Sequence, residues 1–549
     1  MSNITVLKAR KIITMNSYQP IATHVAIRDG RVLGTGDLES VASFGEYQLD
    51  TRFEDKVLMP GFVEGHCHAM EGGVWKHIYV GYQDRYDPDG KLWKGADSLQ
   101  AVIDLLVEME GQMEDPDQPL FAWGFDPIYF GEDRMSTRHV DQISTTRMIL
   151  ILHSNGHLLN VNSKVLAAAG IDADCSVHGV LKDTNGQPTG ELMEMAAHYM
   201  AYKVAGSPFL KGIDVESLLG FGKSAVNCGV TMATDLFATF SDTNMAAYIE
   251  ATAKDNYPLR ILPAMNTLDM PPADGIAAVI AAKKHNTEKL HFGLCKVMTD
   301  GSIQGFTGRM KWPGYLNGAP NGVWNMAPEQ LSDLVGEYHR AGMHLHIHTN
   351  GDEASELMID ALEKALKEAP DADHRHTLQH CQMADESQFR RMAKLGICAN
   401  LFSNHIYYWG DQHRAITLGP DRASRMDACN TAQRQGVHYA IHSDAPVTPL
   451  APLFTAWCAV NRLTESGVVL GENERIPVER ALYAITLGAA YTIKMDHLAG
   501  SIEPGKYADF AVLEDDPHSV EPGKLKDIGV WGTVVGGVAT QAAARDARA

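Results

Sequence analysis

Apolar and polar positions alternate with period two at both ends of the chain. Ile4 to Ile13 and His24 to Ile27 read as strands, Asp29-Gly30 as a turn, and Arg31 to Gly34 as the returning strand. Asp-Gly between two apolar runs favours a hairpin, because both turn residues must adopt positive φ. The C-terminus has the same character: Ala508 to Leu513 is one strand, and Gly529 to Val535 turns through Gly536-Gly537 into Val538 to Thr540. The two ends are expected to pair as one small β-sandwich; two independent β appendages are the alternative.

Between them, short apolar runs alternate with helical patterns, as βα units around a parallel sheet require. The runs are Val57 to Glu64, Gly229 to Asp235, Arg260 to Ala264, Leu294 to Thr299, Met343 to His348, His376 to His380, Ile397 to Leu401 and Val437 to Ile441. Eight of them predict an α/β fold, a (β/α)8 TIM-like barrel with its active groups at the C-terminal ends of the strands. The stretch from about 72 to 215 is far longer than one crossover helix needs. It carries strands of its own, such as Met148 to His153, and predicts a large insertion after the first barrel strand, able to cover the site. The expected division is 1–56 plus 497–549 for the β-sandwich, 57–71 plus 216–496 for the barrel, and 72–215 for the inserted subdomain. The alanine-rich stretch 542–549 reads as a frayed or helical tail.

Composition narrows the function. The chain has 549 residues, too many for one compact core. Its formal net charge of −21 disfavours nucleic acid and anionic membrane as partners. Its eight cysteines form no Cys-x-x-Cys pair, which suits reduced thiols. No uncharged apolar run is long enough to span a bilayer. Met1-Ser2-Asn3-Ile4 opens directly into a strand without a basic and apolar leader, so the expected location is cytoplasmic.

The chemistry sits where the apolar runs end. His66 and His68 flank Cys67, His348 closes His344-Leu345-His346-Ile347-His348, His380 follows Gln379, and Asp444 follows His442-Ser443. Side chains alternate along a strand, so a His-x-His pair points both imidazoles to one side. Imidazoles and a carboxylate converging from several strands suit zinc or a similar divalent ion. His344 and His346 share the alternating face of His348, and His376 competes with His380, so the spacing leaves those ligands open.

These segments resemble the amidohydrolase superfamily. Val57-Leu58-Met59-Pro60-Gly61-Phe62-Val63-Glu64-Gly65-His66-Cys67-His68 is similar to its first-strand motif, and Gly500 to Phe510 to its return into the β-sandwich. More narrowly, Lys296 to Ser302, His348 to Ala354, His442 to Val447, Asn155-Gly156-His157 and Val161-Asn162-Ser163 resemble the YtcJ-like branch (amidohydrolase family 3), which includes N-substituted formamide deformylase. Two positions depart from that branch's pattern: Gln379 stands where Glu is frequent, and His442 where Gly is frequent.

The resemblance implies one or two divalent ions, zinc in the first instance, with His66, His68 and Asp444 on one and His348 and His380 on the other. It implies that Lys296, carboxylated by carbon dioxide, bridges them; a plain ammonium cannot ligate a cation, and pairing with Asp300 is the alternative. Asp444 and His380 are the expected catalytic residues, with Asp444 relaying a proton from the attacking water to the leaving nitrogen. His442 is expected to point away from the site. His157, Gln304, Trp312, Tyr315 and Trp409 are candidates for binding substrate, together with His405, while Asp235 and Asp300 are candidate outer partners. The expected activity is hydrolysis, by metal-bound hydroxide, of a carbon–nitrogen bond other than a peptide bond, in a small amide, formamide or cyclic amide. Ester or lactone hydrolysis, deamination, decarboxylation, and a barrel that only binds ligand are the alternatives. A small-molecule substrate and a homodimer complete the expectation.

Overall fold

A computed structural model describes residues 4–131, 134–206 and 213–545. The reading of residues 1–3, and the last four positions of the alanine-rich stretch, lie outside the described residues. Among the described residues three large sheets organise the chain, beside a two-stranded ribbon of Arg85–Tyr86 and Leu92–Trp93.

The first joins the two ends. Its seven strands run in the order Val538–Gln541, Val530–Val535, Phe510–Leu513, Tyr47–Pro60, Ile4–Ile13, Ile21–Arg28, Arg31–Gly36. The 14-residue strand Tyr47–Pro60 is the seam. Its first part pairs in parallel with Ile4–Ile13, and its last four residues pair antiparallel with Phe510–Leu513, Pro60 opposite Phe510. Leu7, Val25, Phe53, Leu58, Phe510, Val512 and Val534 fill the layer beneath. The hairpin turn holds Asp29 at φ 52 and Gly30 at φ 73, as the Asp-Gly signal requires.

The second sheet is parallel, curled and eight-stranded. Its strands follow chain order: β1 (Phe62–Glu64), β2 (Val230–Ala238), β3 (Arg260–Asn266), β4 (Leu294–Met298), β5 (His344–Thr349), β6 (Thr377–His380), β7 (Cys398–Leu401) and β8 (Tyr439–Ile441). The expected strand Val57 to Glu64 is corrected here. Pro60 ends the seam strand of the first sheet, and only Phe62–Glu64 belongs to the second. Gly61 makes the transfer possible, since a Cβ there would lie 1.9 Å from Thr231 Oγ1.

Period two decides which side of this sheet is polar. On β5, Leu345 and Ile347 pack outward with Cys295 and Val297 of β4 against the helical layer. His344, His346 and His348 take the other side, and register sets Lys296 beside His346 and His348 beside Gln379. Val63, Met232, Leu262, Ala264, Leu294 and Ala440 form a separate apolar plug. Each of the larger of these side chains, Val63, Met232, Leu262 and Leu294, contributes roughly 1.5–3 kcal/mol by its burial.

The third sheet lies wholly between β1 and β2, in the order Val180–Lys182, Pro188–Met193, Leu158–Val161, Ile149–His153, Leu120–Phe125, Ile78–Tyr79. It has apolar cores of its own, around Leu150, Leu152 and Leu159 on one face and Ile149, Ile151 and Val102 on the other. Among the described residues, no helix is long and apolar enough to cross a membrane.

Candidate metal centre

Five of the expected ligands meet at the C-terminal ends of β1, β5, β6 and β8. Asp444 Oδ1 lies 3.2 Å from His66 Nε2 and 3.1 Å from His68 Nε2. His348 Nδ1 lies 3.1 Å from His380 Nε2, and His380 Nδ1 lies 3.8 Å from Asp444 Oδ2. Donors held tetrahedrally about 2.0–2.2 Å from zinc stand about 3.3–3.6 Å apart. The spacing of His66, His68 and Asp444 therefore fits a divalent ion, with His348 and His380 beside it. The backbone is bent to achieve this: His380, Cys381 and Asp444 sit at φ 69, 47 and 53, conformations that cost about 1–3 kcal/mol each in non-glycine residues.

The tautomers are set from outside. His348 Nε2 lies 3.2 Å from both the Gly301 carbonyl oxygen and Asn350 Nδ2, and the N–H that the carbonyl accepts would leave Nδ1 as the ligating atom toward the centre. His66 Nδ1 faces Gln379 Oε1 at 2.8 Å, leaving Nε2 free to ligate. Burial pushes the His66 imidazole down to about 4, with Lys296 adding to the effect. Burial likewise holds His348 and His380 well below the ordinary histidine value. Burial also opposes charge on Asp444, but His66, His68 and His380 hold its carboxyl well below the carboxylate range. A neutral donor set around one carboxylate is what a cation needs.

Lys296 is fully buried, with Nζ 3.4 Å from His66 Nε2. Burial lowers its ammonium to about 7, and Asp444 opposes that only in part. The pairing with Asp300 is not made. Asp300 instead accepts the backbone N–H groups of Asn350, Gly351 and Arg309 at 2.9–3.0 Å. Gly351 is required at that turn, since a Cβ would stand 1.7 Å from the Arg309 carbonyl oxygen. Burial still raises the Asp300 carboxyl to about 7.

The spacing alternatives separate. His344 Nε2 faces the Arg375 carbonyl at 2.7 Å, His346 Nδ1 faces Gln379 Nε2 at 2.6 Å, and His376 Nε2 faces His339 Nδ1 at 2.9 Å. None of the three joins the donor groups.

His442 does not point away. Its ring stacks on His66 at 4.6 Å and on Phe402 at 4.7 Å, and with His66 and His380 it forms a second group able to hold an ion. β8 ends at Ile441 and Asp444 sits at φ 53, so the turn beyond the strand, and not strand alternation, brings both side chains to the site. Glu64 and Asn400 also went unforeseen. Glu64 accepts the Ser443 hydroxyl at 2.9 Å, and Asn400 Nδ2 donates to Gln379 Oε1 at 3.0 Å. Glu64 carries a parity signal relative to His66; for Asn400 the sequence holds none.

The expected substrate groups divide. His157 comes from the inserted block, with its ring 5.5 Å from that of His348 and Nδ1 2.9 Å from Glu194 Oε2. Burial works against its charge, yet Glu194 raises it above the ordinary imidazole value. Gln304 is buried, with Oε1 unpartnered. Trp409 is buried and donates Nε1–H to Asp126 of the insert at 2.8 Å, so it fastens the cover. Tyr315 is buried, and its hydroxyl donates to the Gly308 carbonyl at 2.7 Å. Trp312 is corrected: it is 94 % exposed on its loop and is not brought among the buried groups of the centre. Asp235 is spent on the Tyr248 hydroxyl.

The chain is similar to several known proteins. A family model described as the amidohydrolase family matches residues 54–541. The chain is 28% identical over 531 residues to the putative amidohydrolase YtcJ of Bacillus subtilis (strain 168), covering 93% of this chain and 94% of that one. It is 24% identical over 559 residues to the N-substituted formamide deformylase of Arthrobacter pascens, covering 98% of each. Among solved structures, an uncharacterized metal-dependent hydrolase from Pyrococcus horikoshii OT3 superposes with a TM-score of 0.71 at 19% identity, over 95% of this chain and 99% of the other.

Proposed function

We propose that this chain, which belongs to the amidohydrolase family in its YtcJ-like branch, is a metal-dependent hydrolase whose bond is carbon–nitrogen and not peptide, in a small amide, formamide or cyclic amide. We read the curled parallel sheet as a (β/α)8 barrel, the mixed sheet of the two ends as its β-sandwich companion, and the block between β1 and β2 as a third subdomain. The observation that carries the reading is the convergence of His66 and His68 on Asp444 Oδ1, beside the pair His348 and His380. The 24% identical formamide deformylase supports the bond class.

A divalent ion held there, zinc by its donor set, would acidify water and polarise a substrate carbonyl. The chain's residues would do the rest. Asp444 Oδ2 takes the proton from the attacking water and returns it to the leaving nitrogen, which as an amide anion would leave poorly. Such proton transfer is worth about 10²–10⁴ in rate. Lys296 is buried and held near 7, so its neutral amine can add to carbon dioxide, forming an N–C bond and releasing one proton. The carbamate so formed would stand within reach of both donor groups. His157, steadied by Glu194, faces the same cleft and would orient the substrate.

The test is metal analysis together with a panel of N-substituted formamides, cyclic amides, lactones and aminated rings, with formate and ammonia release both followed. Formate or acid release from the amides, lost on chelation, is expected. Full activity in a metal-free preparation overturns the metal reading, and turnover confined to lactones or aminated rings overturns the bond class.

A further inference from the structure

We infer that Gln379 is a positioning residue: its side-chain amide fixes the ligating tautomer of His66 by accepting on one end and donating on the other. The inference rests on the metal-centre reading above. Gln379 is fully buried on β6, with its side chain between those of His66, His346 and Asn400.

The amide can be oriented from its neighbours together with the metal reading. Oε1 lies 2.8 Å from His66 Nδ1 and 3.0 Å from Asn400 Nδ2, while Nε2 lies 2.6 Å from His346 Nδ1. Asn400 presents Nδ2, a donor only, to Gln379 Oε1, and the metal reading selects this arrangement over one with both amides reversed, because only this one leaves His66 Nε2 unprotonated. The same oxygen then accepts Nδ1–H from His66, and the His66 lone pair is left on Nε2, the atom 3.2 Å from Asp444. The reversed amide would donate to His66 Nδ1, move the imidazole proton to Nε2, and place an N–H where a cation has to bind. The other end completes the constraint. Gln379 Nε2 donates to His346 Nδ1, so His346 keeps its own proton on Nε2, which is buried and unpartnered. An amide serves both imidazoles in their neutral forms. A carboxylate at this position would still accept from His66, but would oblige His346 to carry its proton on Nδ1.

An outer partner of a ligating histidine is worth about 10–100-fold in metal affinity. The experiment titrates zinc into the metal-free protein against a competing chelator, and records the visible spectrum of the cobalt(II)-loaded protein, for wild type, Gln379→Leu and Gln379→Glu. Gln379→Leu is expected to weaken the tighter zinc site 10–100-fold and to alter the cobalt spectrum. Gln379→Glu, which keeps the acceptor, is expected to stay within about threefold of wild type. Equal affinity in Gln379→Leu and wild type overturns the inference. So does an equal loss in both variants, because packing would then be the cause. Should Gln379→Leu not fold, Gln379→Met carries the same comparison. Failure of the wild type to bind zinc overturns the metal reading instead, so the two failures are distinguishable.

Discussion

The molecule holds two clusters of histidines, one near the N-terminal ends of β5 and β6 and one at the C-terminal ends of β1, β5, β6 and β8, and they differ in where their lone pairs go. The first cluster comprises His339, His344, His374 and His376. His339 donates to the Ala369 carbonyl and accepts from His376; His376 accepts the Leu345 N–H; His374 donates to the Leu395 carbonyl and accepts the His376 N–H; His344 donates to the Arg375 carbonyl. Proton positions in this network follow from backbone groups. In the second cluster, His66, His68, His348 and His380 turn nitrogens toward one another and toward Asp444, and His380 Nδ1 and both nitrogens of His442 have no partner. Residue type is the same in both, and all but His68 are buried. A buried polar atom without a partner is costly, so the second arrangement is the one that calls for a ligand.

Four experiments can break this contrast, from large effect to small. Asp444→Asn should lower turnover by about 10²–10⁴-fold, measured as kcat on any substrate the panel identifies; an active Asp444→Asn enzyme would put the proton relay elsewhere. Next, the clusters should part in metal content. His348→Ala and His380→Ala should each cut the bound zinc found by elemental analysis, whereas His376→Ala should keep it and lose about 1–3 kcal/mol of stability in urea, through the polar groups it strands. Zinc lost from His376→Ala would erase the distinction.

The third experiment uses acid. Burial lowers His344 from its ordinary value of 6.5 to about 3. Below about 6.5 the unfolded chain binds a proton that the folded chain refuses, so stability falls as pH drops through the window from 6.5 toward 3. At 1.36 kcal/mol per unit this is about 3 kcal/mol between pH 7 and pH 4. His344→Gln keeps a donor for the Arg375 carbonyl but cannot titrate, so its unfolding free energy should fall less over that interval; equal slopes would count against a neutral first cluster. The smallest effect belongs to Trp312→Ala, expected to stay within about 0.5 kcal/mol in stability and to leave KM unchanged, as for an exposed side chain.

The same contrast explains what could be read in advance. Strand order and most strand limits follow from apolar periodicity, because a strand buried on one side and packed under helices on the other needs that pattern. The first parallel strand was drawn too long because Val57–Pro60 and Phe62–Glu64 are one apolar run divided between two sheets, and the divider is the fit of Gly61 against Thr231, a tertiary fact. At the site, His66, His68, His348, His380 and Asp444 carry local motifs. The choice of His348 over His344 and His346 depends on which carbonyls lie opposite each ring. The inward turn of His442 is not legible, because strand alternation stops at Ile441 and the backbone then bends through Asp444 at φ 53. The duties of Gln379 and Asn400 were not legible, because an amide's partners come from strands far apart in the chain. Trp312 failed for a related reason: a loop aromatic has no periodicity to say which way it faces.

The cover has its own consequence. The block carrying His157, Asp126 and Tyr129 leaves and re-enters the chain between β1 and β2, and grips the loops beyond β4 and β7 through Asn155 on Ser302, Tyr129 on the Tyr408 carbonyl, and Trp409 on Asp126. All the residues that would hold the ion lie outside it. Whatever replaced this block would have to restore those three bonds to keep the loops around the ligands where they are.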